Sequence, residues 1–121
     1  MPEAEAEAKL TVKNEDGVTV VEFENRKILD ELTINQIFEK LNELADAENV
    51  PLILLNFRKV EHLSSAALGA LITLNKKVGQ RNGRLVLANI HPQIYEVFKI
   101  TRLDKVFEIR GTTQEGLRAF R

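Results

Sequence analysis

Leu52-Ile53-Leu54-Leu55-Asn56-Phe57 runs through a polar link, Arg58 to His62, into Leu63-Ser64-Ser65-Ala66-Ala67-Leu68-Gly69-Ala70-Leu71-Ile72. The first run is nearly all apolar and of strand length, the pattern of a strand buried on both faces. The serine pair opens a run of small and aliphatic residues that reads as a helix over about residues 65–78. Its apolar stripe is Leu68, Leu71, Ile72 and Val78, with Asn75 at the margin. Gly79 and Gly83 bracket its end, and Lys76, Lys77 and Arg81 lie near the negative pole of its dipole. A serine at a helix start sits where backbone N–H groups lack intrahelical acceptors and where the dipole favours negative charge. A phosphate there would be held by the backbone, so the position could act as a switch.

The alternation continues outward from this unit. Upstream, Leu10 to Lys13 and Val18 to Phe23 read as two strands, with Asn14-Glu15-Asp16-Gly17 as a hairpin linker. Val18 and Val20 share one face of the second strand with Glu22, while Thr19, Val21 and Phe23 share the other, as in a central strand. Residues 33–46 read as a helix: Thr33 can cap it, and Ile34, Ile37, Phe38, Leu41 and Leu44 recur at spacings of three and four. Downstream, Leu85 to Ala88 reads as a short buried strand. His91-Pro92 opens a helix carrying Ile94, Val97 and Phe98, with Pro92 in its first turn. Val106 to Ile109 reads as a last strand, and Thr112 or Thr113 can cap a final helix with Leu117 and Phe120. The order β-β-α-β-α-β-α-β-α predicts an α/β fold: a mostly parallel central sheet of right-handed βαβ units with helices packed on it.

Composition narrows the function. A length of 121 residues suits one domain, expected over residues 9–121 behind a flexible acidic tail at residues 1–8, where Glu and Ala alternate. The absence of cysteine excludes disulfides and thiolate metal sites. With 18 acidic against 17 basic residues, nothing in the charge balance favours nucleic acid or an anionic membrane surface. No apolar run approaches the roughly 20 residues of a spanning helix, so no membrane insertion is expected. The start of the chain lacks the basic and apolar regions of a signal peptide, so a cytoplasmic location is expected.

Catalytic constellations do not emerge, and no enzyme, cofactor or metal is expected. The two histidines, His62 and His91, are isolated; a Ser65–His62 pair lacks a third partner. A phosphate loop needs glycines around the phosphates, and the strand-to-helix junction offers only Gly69, already inside the helix. Asp16, Asp30, Asp46 and Asp104 are scattered among turns and helix ends.

Val60-Glu61-His62-Leu63-Ser64-Ser65-Ala66-Ala67-Leu68-Gly69-Ala70-Leu71-Ile72 resembles, without gaps, the signature of the STAS domain family, which includes bacterial anti-sigma factor antagonists. The usual pattern is an apolar pair, then Asp-Ser-Ser-Gly-Leu-Gly, then aliphatic residues. Leu29-Asp30 matches a Leu-Asp element before the first helix, and the element order matches along nearly the whole chain. The resemblance implies a single-domain STAS-like fold. It also implies a binding module whose partner is an anti-sigma factor that is a serine kinase, with the first serine of the pair as its phosphoacceptor. Carried over, that serine is Ser65. Ser64 stands in for the Asp, Ala66 for the second Ser and Ala67 for the Gly, while Leu68 and Gly69 are retained.

The expected partner surface is Asp30, His62, Ser64, Ser65 and Ala66, with phosphorylation at Ser65 releasing the partner. A serine phosphatase would be a further partner. Ser64 keeps the capping ability of Asp but not its charge. Ala66 and Ala67 favour helix. The alternative is an STAS scaffold or accessory subunit, in a signalling assembly or beside a transporter, that works without phosphorylation. A small-molecule sensor would need a pocket near the serine helix.

Overall fold

The structure is a computed structural model that describes residues 8–121. Strands β1 (Leu10–Glu15) and β2 (Val18–Phe23) form an antiparallel hairpin with Glu15 opposite Val18. Asp16 and Gly17 make its two-residue loop with φ of +54° and +85°. Two left-handed residues let the turn follow the twist of the strands, so β1 runs two residues beyond its expected end at Lys13. The acidic tail expected over residues 1–8 lies outside the described residues except for Ala8, whose N–H donates to Gln36 Oε1 at 2.9 Å.

The chain continues as β3 (Lys27–Ile28), α1 (Glu31–Asp46), β4 (Leu52–Asn56), β5 (His62–Leu63) and α2 (Ser65–Gln80). Then come β6 (Arg84–Ala88), α3 (Pro92–Ile100), a 3-10 turn at Leu103–Lys105, β7 (Glu108–Arg110) and α4 (Thr113–Arg118). The main sheet has the order β1-β2-β4-β6-β7, and every pairing after the hairpin is parallel. The α/β alternation expected from the sequence is present, with β3 and β5 added as a separate two-stranded parallel ladder. Two residues are too few to show a period. The last strand starts at Glu108 rather than Val106, because the Val106 and Phe107 N–H groups both turn back to the Leu103 carbonyl at 3.0 Å.

From β2 to β4 to β6 to β7 each crossover steps the same way across the sheet. Right-handed crossovers of one sense set their helices on one face. That face holds the main core: Val21, Phe23, Ile53, Leu55, Leu85 and Leu87 pack against Ile37, Leu41, Leu71, Leu74 and Phe98 of α1, α2 and α3. Val18, Val20, Leu54 and Ala88 face the other way, where Leu117 and Phe120 cover them. The division of β2 between two faces is therefore as its alternation predicts.

Two helix details differ from expectation. Helix α1 is capped by Asp30, not Thr33: the Asp30 carboxylate accepts from the Thr33 N–H at 2.9 Å, which places Thr33 inside the first turn, where it is buried. On α2, Leu74 joins Leu68, Leu71 and Val78 as a buried residue, while Ile72 is half-buried. Of the two threonines that could cap α4, Thr112 does so, its Oγ accepting from the Glu115 N–H at 3.1 Å.

Gly83 is where α2 hands over to β6. Its N–H bonds the Val78 carbonyl at 2.9 Å, and the next N–H, of Arg84, bonds the Pro51 carbonyl at 2.9 Å. A Cβ on Gly83 would overlap that Pro51 oxygen and lie 2.9 Å from the Pro51 ring, whereas a Cβ on Gly79 meets nothing. Gly83→Ala is expected to destabilise the fold by about 2–3 kcal/mol, since backbone must shift. Gly79→Ala, inside the helix, should stabilise it by about 0.5–1 kcal/mol. Urea unfolding of the two variants measures both.

Candidate functional site

The site forms where β4 leaves the sheet. Phe57 still bonds the Ala88 carbonyl at 2.9 Å, and a turn closes from the Val60 N–H to the Phe57 carbonyl at 2.9 Å. The Arg26 carbonyl then accepts from both Glu61 N–H (2.8 Å) and His62 N–H (3.1 Å). An exposed ion pair, Arg26 Nη2 to Glu61 Oε1 at 3.2 Å, crosses the same place. In the β3–β5 ladder Lys27 lies opposite His62 and Ile28 opposite Leu63, and the Ser64 N–H closes it on the Ile28 carbonyl at 3.1 Å. Leu29-Asp30 and Ser64-Ser65 therefore leave one ladder side by side, each pair leading into a helix.

Ser64 is the N-cap of α2. Its backbone is extended (φ −83°, ψ 165°), its Oγ accepts from the Ala67 N–H at 3.2 Å, and its carbonyl accepts the first helical bond from Leu68 at 3.1 Å. Ser65 and Ala66 are the first two helical residues, and both are exposed; Ala67 is fully buried behind them. The N–H groups of Ser65 and Ala66 have no acceptor among the described residues, and the first turn carries no acidic residue. This helix start is short of negative charge and has hydrogen-bond donors to spare.

The structure thus brings Asp30, Ser64, Ser65 and Ala66 to two neighbouring helix starts, with His62 exposed on the ladder just before them. The Asp30 carboxyl is held below its ordinary pKa of 3.8, chiefly by the Thr33 backbone N–H and next by the Thr33 side chain. Several apolar residues here lie at the surface. Leu29 and Leu32, on either side of Asp30, are 48% and 55% exposed, and Val97 of α3, which the sequence groups with Ile94 and Phe98, is 42% exposed. Val97 lines a shallow groove of about 190 Å³ with His62, Leu63, Leu68, Gln93 and Ile94. The available signal for Leu32 was its position off the Ile34-Ile37-Phe38-Leu41 stripe. For Val97 there was none, because on a nine-residue helix both Ile94 and Val97 fit a buried spacing.

Among the described residues no group of three or more His, Asp and Glu could hold a metal ion, and no helix is long and apolar enough to cross a membrane. The model of the STAS domain family matches residues 9–116. The chain belongs to the STAS domain family. This STAS domain is 24% identical over 113 residues to BtrV of Bordetella bronchiseptica, named as a candidate anti-sigma factor antagonist, covering 93% of this chain and 95% of that one. It superposes on an anti-sigma factor antagonist (STAS) domain protein from Planctomyces limnophilus with a TM-score of 0.80 at 24% identity, covering 91% and 96% of the two chains. It also superposes on the Bacillus cell fate determinant SpoIIAA in its phosphorylated form, with a TM-score of 0.70 at 20% identity over 93% and 100%. These superpositions establish the fold of this STAS domain.

The two caps can be tested separately. Ser64→Ala should cost about 1 kcal/mol of stability, and Ser64→Asp should retain the wild-type value, because Asp caps as well as Ser. Asp30 carries an acid dependence. Its folded pKa is depressed, so its contribution is present above pH 3.8 and is lost as the pH falls through the folded value. Asn caps without titrating, so the stability of the wild type relative to Asp30→Asn should decline on acidification below pH 3.8. Thermal melts of both proteins at neutral and acid pH provide the measurement.

Proposed function

We propose that this STAS domain is an anti-sigma factor antagonist-like binding module that engages an anti-sigma factor with serine kinase activity and is switched off by phosphorylation of Ser65. The observation that carries the reading is the state of Ser65. It is exposed at the first position of α2, and its hydroxyl makes no hydrogen bond to a described residue. It stands at the register position where the family signature has its phosphoacceptor. The overall likeness to antagonist proteins supports the class of function.

The mechanism follows from local electrostatics. Unphosphorylated, Ser65 and Ala66 present a small neutral surface beside Asp30, with exposed apolar side chains at Leu29, Leu32 and Val97. Apolar groups at the centre of an interface supply binding energy by leaving water. A phosphate adds about −1.5 to −2 charges at pH 7. Within the domain, the free N–H groups and the dipole of α2 accommodate that charge, so the fold need not rearrange. Against a partner, the same charge must be desolvated in an apolar surface or face acidic groups, and binding weakens. A serine phosphatase would restore the binding form, and the whole cycle would run in the cytoplasm.

A second reading keeps the binding module but not the covalent switch. Ser64, Ala66 and Ala67 depart from the Asp-Ser-Ser-Gly signature. A kinase that reads that signature would meet a firmer, less acidic helix start here. In this reading the domain is a scaffold or accessory subunit whose binding does not depend on Ser65.

Intact mass after co-expression with the cognate kinase should show one added phosphate, mapped to Ser65. In a pull-down, Ser65→Asp should bind the partner at least about tenfold more weakly than wild type, a loss expected for an uncompensated charge in an interface. Ser65→Ala should bind as wild type. Both should melt within about 0.5 kcal/mol of wild type. Equal partner binding by Ser65→Asp and Ser65→Ala, with no added mass, selects the scaffold.

A further inference from the structure

The main sheet ends at β1, and the register of the hairpin fixes which backbone groups of that strand are left over. The Lys9 carbonyl accepts from the Glu24 N–H at 2.8 Å, one step beyond the Leu10–Phe23 pair. Inward-bonded positions alternate along an antiparallel strand, so Thr11, Lys13 and Glu15 spend their N–H and C=O groups on β2, while the Lys9 N–H donates to Asn25 Oδ1 at 2.8 Å. Leu10, Val12 and Asn14 turn theirs outward, and among the described residues no strand pairs with them. Val12 is 41% exposed on this edge. A six-residue edge strand without Pro or bulge is a template for another strand.

We propose that β1 pairs antiparallel with β1 of a second copy of this chain, about a two-fold axis at Val12. Only registers that match outward residues to outward residues can form a ladder, which leaves few choices. Centring on Val12 sets Val12 opposite Val12 and Leu10 opposite Asn14, using every outward group of the strand. It also sets Lys9 opposite Glu15 at both ends and Thr11 opposite Lys13. Shifting the partner by two residues one way puts Lys13 opposite Lys13, and the other way puts Lys9 opposite Lys13, like charges that oppose pairing. Glu15 and Lys9 side chains make no ion pair with a described residue, so both are available for the cross-strand pair. None of Asp30, His62, Ser64, Ser65 and Ala66 pairs in this ladder, although Lys9 lines a cavity with Leu29 and Asp30. The inference rests on the edge and its register and not on the proposed switch.

Sedimentation velocity of the full chain over a concentration series tests it. The short interface predicts a weak dimer, with a dissociation constant on the order of 10–100 μM. Val12→Pro removes one outward N–H and no hairpin bond, so it should abolish the dimer while circular dichroism stays native. Lys9→Glu should weaken association about tenfold by placing Glu opposite Glu15 twice, and the double variant Lys9→Glu/Glu15→Lys should restore it. Should Lys9→Glu unfold, the folded double variant and Val12→Pro still decide the matter. A wild type that is monomeric up to roughly 1 mM overturns the proposal, whether solvent or a strand of another protein takes the edge. So does a dimer that Val12→Pro leaves intact.

Discussion

Strand β4 is the constraint on which the rest depends. Ile53, Leu54 and Leu55 are each almost wholly buried, on alternating faces of the strand. Such a strand can exist only if both sides of its backbone are hydrogen-bonded and both faces are covered. The first demand places β2 and β6 on either side of it, both parallel. Parallel neighbours need crossovers long enough for a helix, which accounts for α1 and α2. The second demand brings α4 to the opposite face, close enough that Gly116 lies against Leu54, where a Cβ would be 2.5 Å from Cδ1.

The candidate surface is built by the chain's exit from that strand. Beyond Phe57, whose N–H makes the last bond to β6, the backbone leaves the main sheet and its polar groups need other partners. Arg26 and Ile28 supply them, through three N–H bonds from Glu61, His62 and Ser64. Those bonds set the start of α2 beside the start of α1, so that Ser65 and Asp30 belong to one surface although 35 positions separate them in sequence. Partly buried polar groups reinforce the same end of the sheet: Asn56 Oδ1 accepts from both Arg58 N–H and the Asn89 side chain, at 3.0 and 2.9 Å, and Asn89 also donates to Thr113 Oγ at 2.8 Å. Ser65 thus stands beside an end of the sheet whose backbone and side-chain polar groups are tied together.

Strong local signals were readable in the chain. The alternation of β2, the continuous run of β4 and the stripe of α1 each have one physical interpretation over their length. Ser64 as a cap was equally legible, because only its own side chain and the next turn of backbone take part. Thr33 misled because it too can cap; Asp30, three residues earlier, reaches the same N–H group and starts the helix sooner. The ladder of β3 and β5 was invisible, since two-residue strands exist only by virtue of each other. The exposure of Val97 was invisible for a similar reason: spacing marks a face, but the width of the neighbouring element decides whether that face is covered.

The sequence by itself determined the class of fold, the family and the serine that begins the second helix, because periodicity, caps and a contiguous signature are properties of neighbours along the chain. Only the tertiary structure decided that Asp30 lies beside the start of the serine helix, that Leu29, Leu32 and Val97 face outward, and that the outer edge of β1 has three residues whose backbone groups no described strand takes up. Each of these depends on which segments come to lie side by side, and that is set by burial and hydrogen-bond satisfaction summed over the whole molecule rather than by any local pattern.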